Sequence, residues 1–255
     1  MRRKRLEDAL PAPNLDHSIS FSDVAQGQDK AALEDVSFNI PSGTSVAASG
    51  RSGSGKTTIA NLICGFIAHI EGEILVDGVP LVQVERTSWL SRVAMASQEP
   101  DLFDGTITEN ILCGDSDPGF EQVFAAATAA DPDGFIRNLP DSYDTLVGDL
   151  GLNLSAGQRQ RQRVALAGAL LREPRLLILD EATNGMDILS EATALKILAD
   201  RNGTRTTILI SHHLSSIRLC DSYIRMNESR INASGPRAAF DDATLDDMLN
   251  GAVAN

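Results

Sequence analysis

The chain has 255 residues, of which 42% are hydrophobic and 22% charged, and its formal net charge is −13. This length allows one large domain with a substantial core, and the acidic balance argues against a nucleic-acid surface, because such surfaces cluster lysine and arginine. No apolar run approaches the roughly 18 residues of a membrane-spanning helix. The three cysteines have no metal-ligand spacing, so we expect buried thiols in a reducing compartment.

Residues 1–18 are predicted to be a linker or a juxtamembrane segment. Their basic start lacks the apolar stretch of a signal peptide, and the polar residues that follow contain Pro11 and Pro13. Between residues 19 and 46, short apolar pieces alternate with polar residues, which is typical of strands. We therefore expect a linker rather than core before residue 19.

The next elements indicate a parallel sheet. Residues 45–49 are predicted to form a buried strand that runs into a glycine-rich turn and then a helix over residues 57–66. Two further aliphatic strands are predicted at residues 176–179 and 206–210. Short aliphatic strands separated by helical stretches are typical of a parallel sheet with crossover helices.

The domain organisation follows from these patterns. One domain is predicted over residues 19–240. Within it, residues 101–174 are mostly helical in pattern, with alanine-rich stretches, and are predicted to be an inserted helical subdomain. Residues 241–255 are predicted to be an acidic C-terminal tail.

The strongest single signal is the pattern G-x-x-x-x-G-K-[ST], met at residues 50–57 between a predicted strand and a predicted helix. Glycines let successive N–H groups converge on phosphate oxygens, and the helix N-terminus adds its positive dipole end. Lys56 can reach the β- and γ-phosphates, and Thr57 can offer its hydroxyl to Mg²⁺. A glycine-rich turn with an incidental lysine is the alternative that the flanking elements disfavour. The residues assigned to phosphate binding are Gly50, Arg51, Ser52, Gly53, Ser54, Gly55, Lys56, Thr57 and Thr58.

Two carboxylates, Asp180 and Glu181, follow the aliphatic strand predicted at residues 176–179. In open α/β sheets, ligands bind at that edge of the sheet. Asp180 is placed to hold Mg²⁺ directly or through water, and Glu181 to act as a base or to orient an attacking water. A pair of exposed acids in a loop is the alternative, and the phosphate loop upstream makes it the weaker one.

Four further motifs follow the phosphate loop in chain order: Ser-Gln-Glu at residues 97–99, Leu-Ser-Ala-Gly-Gln at 154–158, Asn-Gly-Met-Asp at 184–187 and Ser-His at 211–212. With the phosphate loop and the acidic pair, they make residues 19–236 resemble the nucleotide-binding domain of ATP-binding cassette (ABC) transporters. The motif at 154–158 separates that family from other phosphate-loop enzymes. By this resemblance, the catalytic residues are Gln98, Glu181 and His212; further ATP contacts are Ser155, Gly157, Gln158 and Asp187; and the Mg²⁺ ligands are Thr57, Gln98 and Asp180.

The resemblance implies an α/β fold: a phosphate-loop NTPase core with a mostly parallel sheet, an N-terminal antiparallel β subdomain and an inserted helical subdomain. It also implies an ATP hydrolase or translocase with Mg²⁺ as cofactor. A second cassette, identical or different, would close head to tail on two ATP molecules, and a transmembrane domain in cis or in trans would be driven from the cytoplasmic face of the membrane. Residues 103–111 and 145–151 favour an exporter, and no nucleic-acid partner is expected.

Two alternatives stay open. One is a soluble ABC ATPase outside transport, although the tandem cassettes, coiled coils or zinc modules of such relatives do not occur in this chain. The other is a weakly hydrolysing regulatory cassette, which the presence of every charged group needed for the chemistry disfavours. Two departures from the family pattern bear on it: Gln28 stands where an adenine-stacking aromatic residue is usual, and Ala156 replaces a signature glycine.

Overall fold

A computed structural model of the chain describes residues 9–27, 31–97, 99–112, 119–130, 134–147, 158–180, 196–211 and 217–239. In these residues the strands are β1 (Ser18–Gln26), β2 (Leu33–Pro41), β3 (Ser45–Gly50), β4 (Glu71–Val76), β5 (Val79–Pro80), β6 (Val93–Ala96), β7 (Leu176–Asp180), β8 (Thr206–Ile210), β9 (Ser222–Asn227) and β10 (Arg230–Pro236). The α-helices with both ends described are α1 (Lys56–Ile63), α2 (Arg86–Leu90), α3 (Ile107–Leu112), α4 (Phe120–Ala130) and α5 (Gln158–Leu171).

The central sheet is mostly parallel. Across the described residues its strand order is β10-β9-β3-β8-β7-β6. Strands β9, β3, β8, β7 and β6 run parallel, and only the edge strand β10 is antiparallel to its neighbour. The carboxyl ends of the parallel strands therefore meet at one edge of the sheet. The predicted strands at 176–179 and 206–210 correspond to β7 and β8.

A separate antiparallel sheet is formed by the N-terminal strands, in the order β2-β1-β4-β5 over the described residues. The expected combination of a mostly parallel core sheet and an N-terminal antiparallel sheet is confirmed. Phe21 of β1 and Phe38 of β2 stack on each other, with ring centroids 4.4 Å apart.

The two faces of the central sheet belong to different hydrophobic cores. Leu176 and Ile178 pack with the antiparallel sheet, α1 and α2, whereas Leu177 and Leu179 pack with α3, α4 and α5. All four side chains are fully buried. A strand covered on both faces has no solvent side, which explains its uninterrupted aliphatic sequence.

The described residues between 101 and 174 contain α3, α4 and α5 and no strand, in agreement with the helical pattern of that stretch. Helix α3 begins with a capping box: Thr106 N–H donates to the Glu109 carboxylate (2.7 Å), and Glu109 N–H donates to Thr106 Oγ1 (3.1 Å). The exact boundaries of the domain and of its helical part stay a prediction.

The N-terminal segment differs from the linker predicted there. Ala12 and Leu15 are buried, with 6% and 2% of their surface exposed, and Leu10 pairs with Val84. Polar composition and two prolines hid this packing, because its partners lie between 25 and 78 residues further along the chain. The described part of the segment, from residue 9, is packed against the fold.

Two other expectations concern cysteines and membrane spans. Cys64 and Cys220 are buried cysteines in the thiol form, and burial raises the pKa of each to about 12. Cys113 lies outside the described residues. Among the helices of the described residues, none has the length and apolarity to cross a membrane.

Candidate phosphate-binding site

The phosphate loop connects the end of β3 to the start of α1 and depends on two glycines. Gly50 ends the strand with φ +146°, and a β-carbon there would lie 2.2 Å from the carbonyl oxygen of Met226. Gly55 precedes the helix with φ +106°, and a β-carbon there would lie 2.5 Å from Ala32 O and 2.6 Å from Leu33 Cδ2. Both positions therefore require glycine, for backbone conformation and for space.

Lys56 lies under the curled loop. Only 5% of the surface of Lys56 is exposed. Its Nζ donates to Gly50 O (2.8 Å) and Arg51 O (2.9 Å). Ser54 N–H also donates to Arg51 O (3.1 Å), which closes the loop on itself. These bonds hold the ammonium group at the first turn of α1, where the helix dipole also favours an anion.

Hydroxyl groups surround the lysine. Ser54 Oγ is buried and makes no hydrogen bond within the described part of the chain, so a ligand oxygen would satisfy a polar group that otherwise costs stability. Thr57 is exposed on the first turn of α1, and Thr58 is half-buried. This combination of a buried lysine, neighbouring hydroxyl groups and a helix N-terminus suits a polyphosphate.

Strand register places Asp180 beside the phosphate loop. Ala48 of β3 and Asp180 of β7 both pair with Ile210 of β8, so the three residues form one row across the sheet. With adjacent strands about 4.8 Å apart, Asp180 lies roughly 10 Å from Ala48, two residues before the glycine that starts the loop. Asp180 is buried. Ser211, which follows β8, donates its N–H to Ala48 O (3.2 Å) in the same edge.

Oxygen ligands at this edge fit Mg²⁺. Thr57 is the second residue of α1, Asp180 is the last residue of β7, and α1 packs against β3 and β7. Hydroxyl and carboxylate oxygens are the donors that Mg²⁺ prefers, with phosphate oxygens and water completing its shell. The described residues contain no cluster of three or more His, Cys, Asp or Glu side chains, so a preformed all-protein metal cage is not found among them.

Two aromatic side chains that sequence reasoning missed support the strand and helix of the loop. The Ser49 and Tyr223 hydroxyls share a buried hydrogen bond, and burial raises the pKa of Tyr223, which keeps the phenol neutral. At the other end of α1, Trp89 Nε1 donates to Ile63 O (2.7 Å). Both side chains fix the elements that flank the loop, and neither was signalled by a local motif.

The structure brings together the predicted loop residues 50–58 and Asp180 at one sheet edge. Gln158 begins α5, although only its backbone is described. Several other predicted positions lie outside the described residues: Gln28, Gln98, Ser155, Ala156, Gly157, Glu181, Asp187 and His212. Their roles stay predictions.

Comparisons with known proteins extend these observations. A model of the ABC transporter family matches residues 33–184. The ATP-dependent lipid A-core flippase of Legionella pneumophila (strain Lens) is 44% identical over 219 residues, 85% of this chain and 37% of that protein. ABC transporter B family member 13 of Arabidopsis thaliana is 37% identical over 235 residues, 91% of this chain and 19% of that protein.

A solved structure of a bacterial Atm1-family ABC exporter with ATP bound has a TM-score of 0.89 and 34% sequence identity. The match covers 100% of this chain and 45% of that one. The chain thus spans only 19% and 37% of the length of the two curated relatives named above.

Proposed function

Because the chain belongs to the ABC transporter family, we propose that it is the ATP-binding and ATP-hydrolysing domain of a membrane exporter. The observation that carries this proposal is the sheet edge at which the Lys56 loop and Asp180 meet. A phosphate grip and a metal-binding carboxylate at the same edge of the sheet, on the parallel strands β3 and β7 that flank β8, are the parts that phosphoryl-transfer enzymes need.

The loop is proposed to bind the triphosphate. Its N–H groups and Lys56 would hold the β- and γ-phosphates, and the buried Ser54 hydroxyl would gain a partner there. Thr57 and Asp180 would hold Mg²⁺, which when bound neutralises charge on the phosphate oxygens. Positioning and charge neutralisation supply most of the catalysis in this class of reaction.

Hydrolysis is assigned to residues that the family pattern identifies. Glu181 directly follows Asp180 and would accept the proton of the attacking water or orient it. Gln98 and His212 would contact that water and the γ-phosphate. The ATP-hydrolase activity follows from the family, and the translocase activity of the whole protein is part of the proposal.

A second cassette is proposed to complete the site. Ser155 and Gly157 would cap the γ-phosphate bound by the partner cassette, head to tail. Two nucleotides buried between the cassettes favour the closed pair by mass action, and loss of the γ-phosphate contact releases it. The same arrangement applies whether the two cassettes are identical or different.

The turn at residues 101–106 supports a transmembrane partner, in cis or in trans, at the cytoplasmic face of the membrane. Phe103 is 46% exposed beside a cavity of about 230 Å³. The buried Asn110 side chain fixes this aromatic residue: it accepts from Phe103 N–H (3.0 Å) and donates to Phe103 O (3.0 Å) and Thr106 O (2.9 Å). An exposed aromatic residue on a rigid turn is a typical anchor of an interface.

Phosphate release by the purified chain tests the proposal, with Glu181→Gln as the variant. Loss of turnover with retained ATP-dependent dimerisation is expected, since the amide keeps the shape of the side chain but cannot act as a base. Glu173→Gln is the matched control, because Glu173 is an exposed acid paired with Arg205 (2.6 Å) and should tolerate the change. Equal turnover of the native chain and Glu181→Gln would remove Glu181 from the mechanism. If neither the native chain nor the two variants bind ATP, the proposed function is refuted.

A further inference from the structure

Residues 10–18, here called the strap, are hydrogen-bonded along their length to three parts of the fold. The backbone of Leu10 forms hydrogen bonds with the segment before α2. The middle of the strap forms hydrogen bonds with α2 and with a residue just after its C-terminal end, and the last part of the strap does so with the turn between β2 and β3. These bonds are Leu10 N–Gln83 O (2.8 Å), Glu85 N–Leu10 O (2.7 Å), Ala12 N–Ser88 Oγ (3.0 Å), Arg92 Nη1–Asn14 Oδ1 (2.6 Å), Ser42 Oγ–Leu15 O (2.6 Å) and Ser42 N–His17 O (2.8 Å).

Asp77, in the turn between β4 and β5, binds the end of the strap most densely. Its carboxylate accepts the N–H groups of Asp16 (2.8 Å), His17 (2.8 Å) and Ser18 (3.0 Å), and its own N–H donates to Ser18 O (2.9 Å). Hydrogen bonds to an ionised acceptor are stronger than neutral ones. One carboxylate therefore fixes three successive backbone amides at the point where the strap becomes β1.

The backbone of Leu15 shows how firmly the strap is held. Leu15 has φ +59°, a left-handed conformation that costs a non-glycine residue free energy. Its side chain is nevertheless buried, with 2% of its surface exposed. Such a conformation persists only where neighbouring contacts impose it. Ser42 Oγ donates to the Leu15 carbonyl, and Asp77 accepts the three amides that follow it.

Strand β1 connects the strap to the phosphate loop. It begins at Ser18 and pairs with β2 as far as Gln26 and Leu33, where Ala32 N–H donates to Gln26 O (2.7 Å). That end of the hairpin lies against Gly55, since a β-carbon on Gly55 would overlap both Ala32 and Leu33. The nine residues of β1 span about 30 Å. One continuous hairpin thus has the strap at one end and the loop at the other.

We propose that Asp77 is a positioning residue that fastens the strap, so that the strap and the phosphate loop move together through the β1–β2 hairpin. A flexible linker absorbs displacement in its own disorder, whereas a strap bonded over nine residues passes displacement to the sheet. In an exporter with its membrane domain in the same chain, the strap would be a covalent route for movement. This inference rests on the proposed nucleotide site.

Hydrogen exchange on the full 255-residue chain tests the strap, with and without Mg-ATP, in the native protein and in Asp77→Asn. Asparagine keeps the shape of the side chain but loses the charge and one acceptor. The amides of residues 16–18 should exchange about tenfold faster in the variant. Adding nucleotide should slow these amides in the native chain and leave them unchanged in Asp77→Asn, a response that a purely structural role would not produce.

Asp35→Asn is the matched control. Asp35 and Asp77 both have a left-handed backbone (φ +53° and +49°), but the Asp35 carboxylate faces Arg230 (3.7 Å) instead of the strap. Ser42→Ala is a second variant, for use if Asp77→Asn does not fold. It removes the hydrogen bond to the Leu15 carbonyl and keeps Asp77, and it should weaken the response of the strap amides to nucleotide. Calorimetric ATP titration separates the two hypotheses. If ATP does not bind, the proposed function fails; if ATP binds but the strap amides do not respond in the native chain, the strap proposal is overturned.

Discussion

Replacing Gly50 with alanine should disrupt the phosphate loop far more than the same change at Gly53. The new β-carbon would lie 2.2 Å from Met226 O and 2.8 Å from Ser54 Oγ. Met226 is paired with Gly50 in the central sheet, so its carbonyl cannot move without displacing β9. Gly53 is the matched control: it also has a positive φ, +76°, but an added β-carbon there meets nothing within 4 Å.

The magnitude follows from these two positions. A left-handed conformation costs a non-glycine residue roughly 1–2 kcal/mol, and both variants bear a strain of this kind. Overpacking adds about 1–3 kcal/mol, and only Gly50→Ala bears it. In a protein of this size, 1 kcal/mol lowers the melting temperature by about 2–4 °C. Gly50→Ala should therefore melt roughly 2–12 °C below Gly53→Ala.

Thermal unfolding of the two variants and the native chain, followed by circular dichroism without nucleotide, measures this difference. Omitting nucleotide keeps a change in ATP affinity from contributing to the melting temperature. Equal melting temperatures for the two variants, or a lower one for Gly53→Ala, would refute the argument that the close approach of Met226 O dictates glycine at position 50.

Two further predictions concern the base of the nucleotide and the strap. Gln28→Tyr should tighten ATP binding roughly 5- to 150-fold, because base–aromatic stacking contributes about 1–3 kcal/mol. The aromatic residues on either side of it in sequence, Phe21 and Phe38, already stack on each other. An unchanged calorimetric dissociation constant would contradict this prediction. Partial burial raises the pKa of Asp77, but the backbone N–H donors of residues 16–18 and the nearby imidazole outweigh it and hold the pKa below its ordinary value. A lowered folded-state pKa stabilises the fold above the unfolded pKa of about 4 and loses that effect as pH falls through the folded value. The unfolding free energy of the native chain should exceed that of Asp77→Asn at pH 6, and the gap should shrink below about pH 4 in denaturant titrations; a constant gap would argue against the charge.

Local sequence signals predicted the strands and the loop well, since their causes are local. The aliphatic runs of β7 and β8 and the glycines between β3 and α1 each impose a conformation on their own neighbourhood. The helix predicted over residues 57–66 was too long at its end, because α1 stops at Ile63. Gly65, with φ +69°, accounts for this: Phe66 N–H donates to Asn61 O and Gly65 N–H to Leu62 O, which is a Schellman ending. That glycine was the available signal.

The strap could not be predicted in this way. Its stability comes from Asp77 and from the segment before α2, about 60 to 80 residues away, and no alternating apolar pattern marks residues 10–18 as packed. The supporting roles of Tyr223 and Trp89 were hidden for the same reason, since each reaches a distant backbone or hydroxyl group. Sequence motifs identify the groups that touch a ligand, whereas the contacts that hold those groups depend on the tertiary fold.

The division of the central sheet between two cores has a mechanical consequence. Successive residues such as Leu177 and Ile178 pack into opposite cores, so within the described residues the sheet contacts both the helices and the antiparallel strands. If the two outer layers move relative to each other, the central sheet is the layer that connects them. Asp180 and the loop after Gly50 lie at the carboxyl edge of that sheet, so the groups that face the ligand are held by the layer that both cores share.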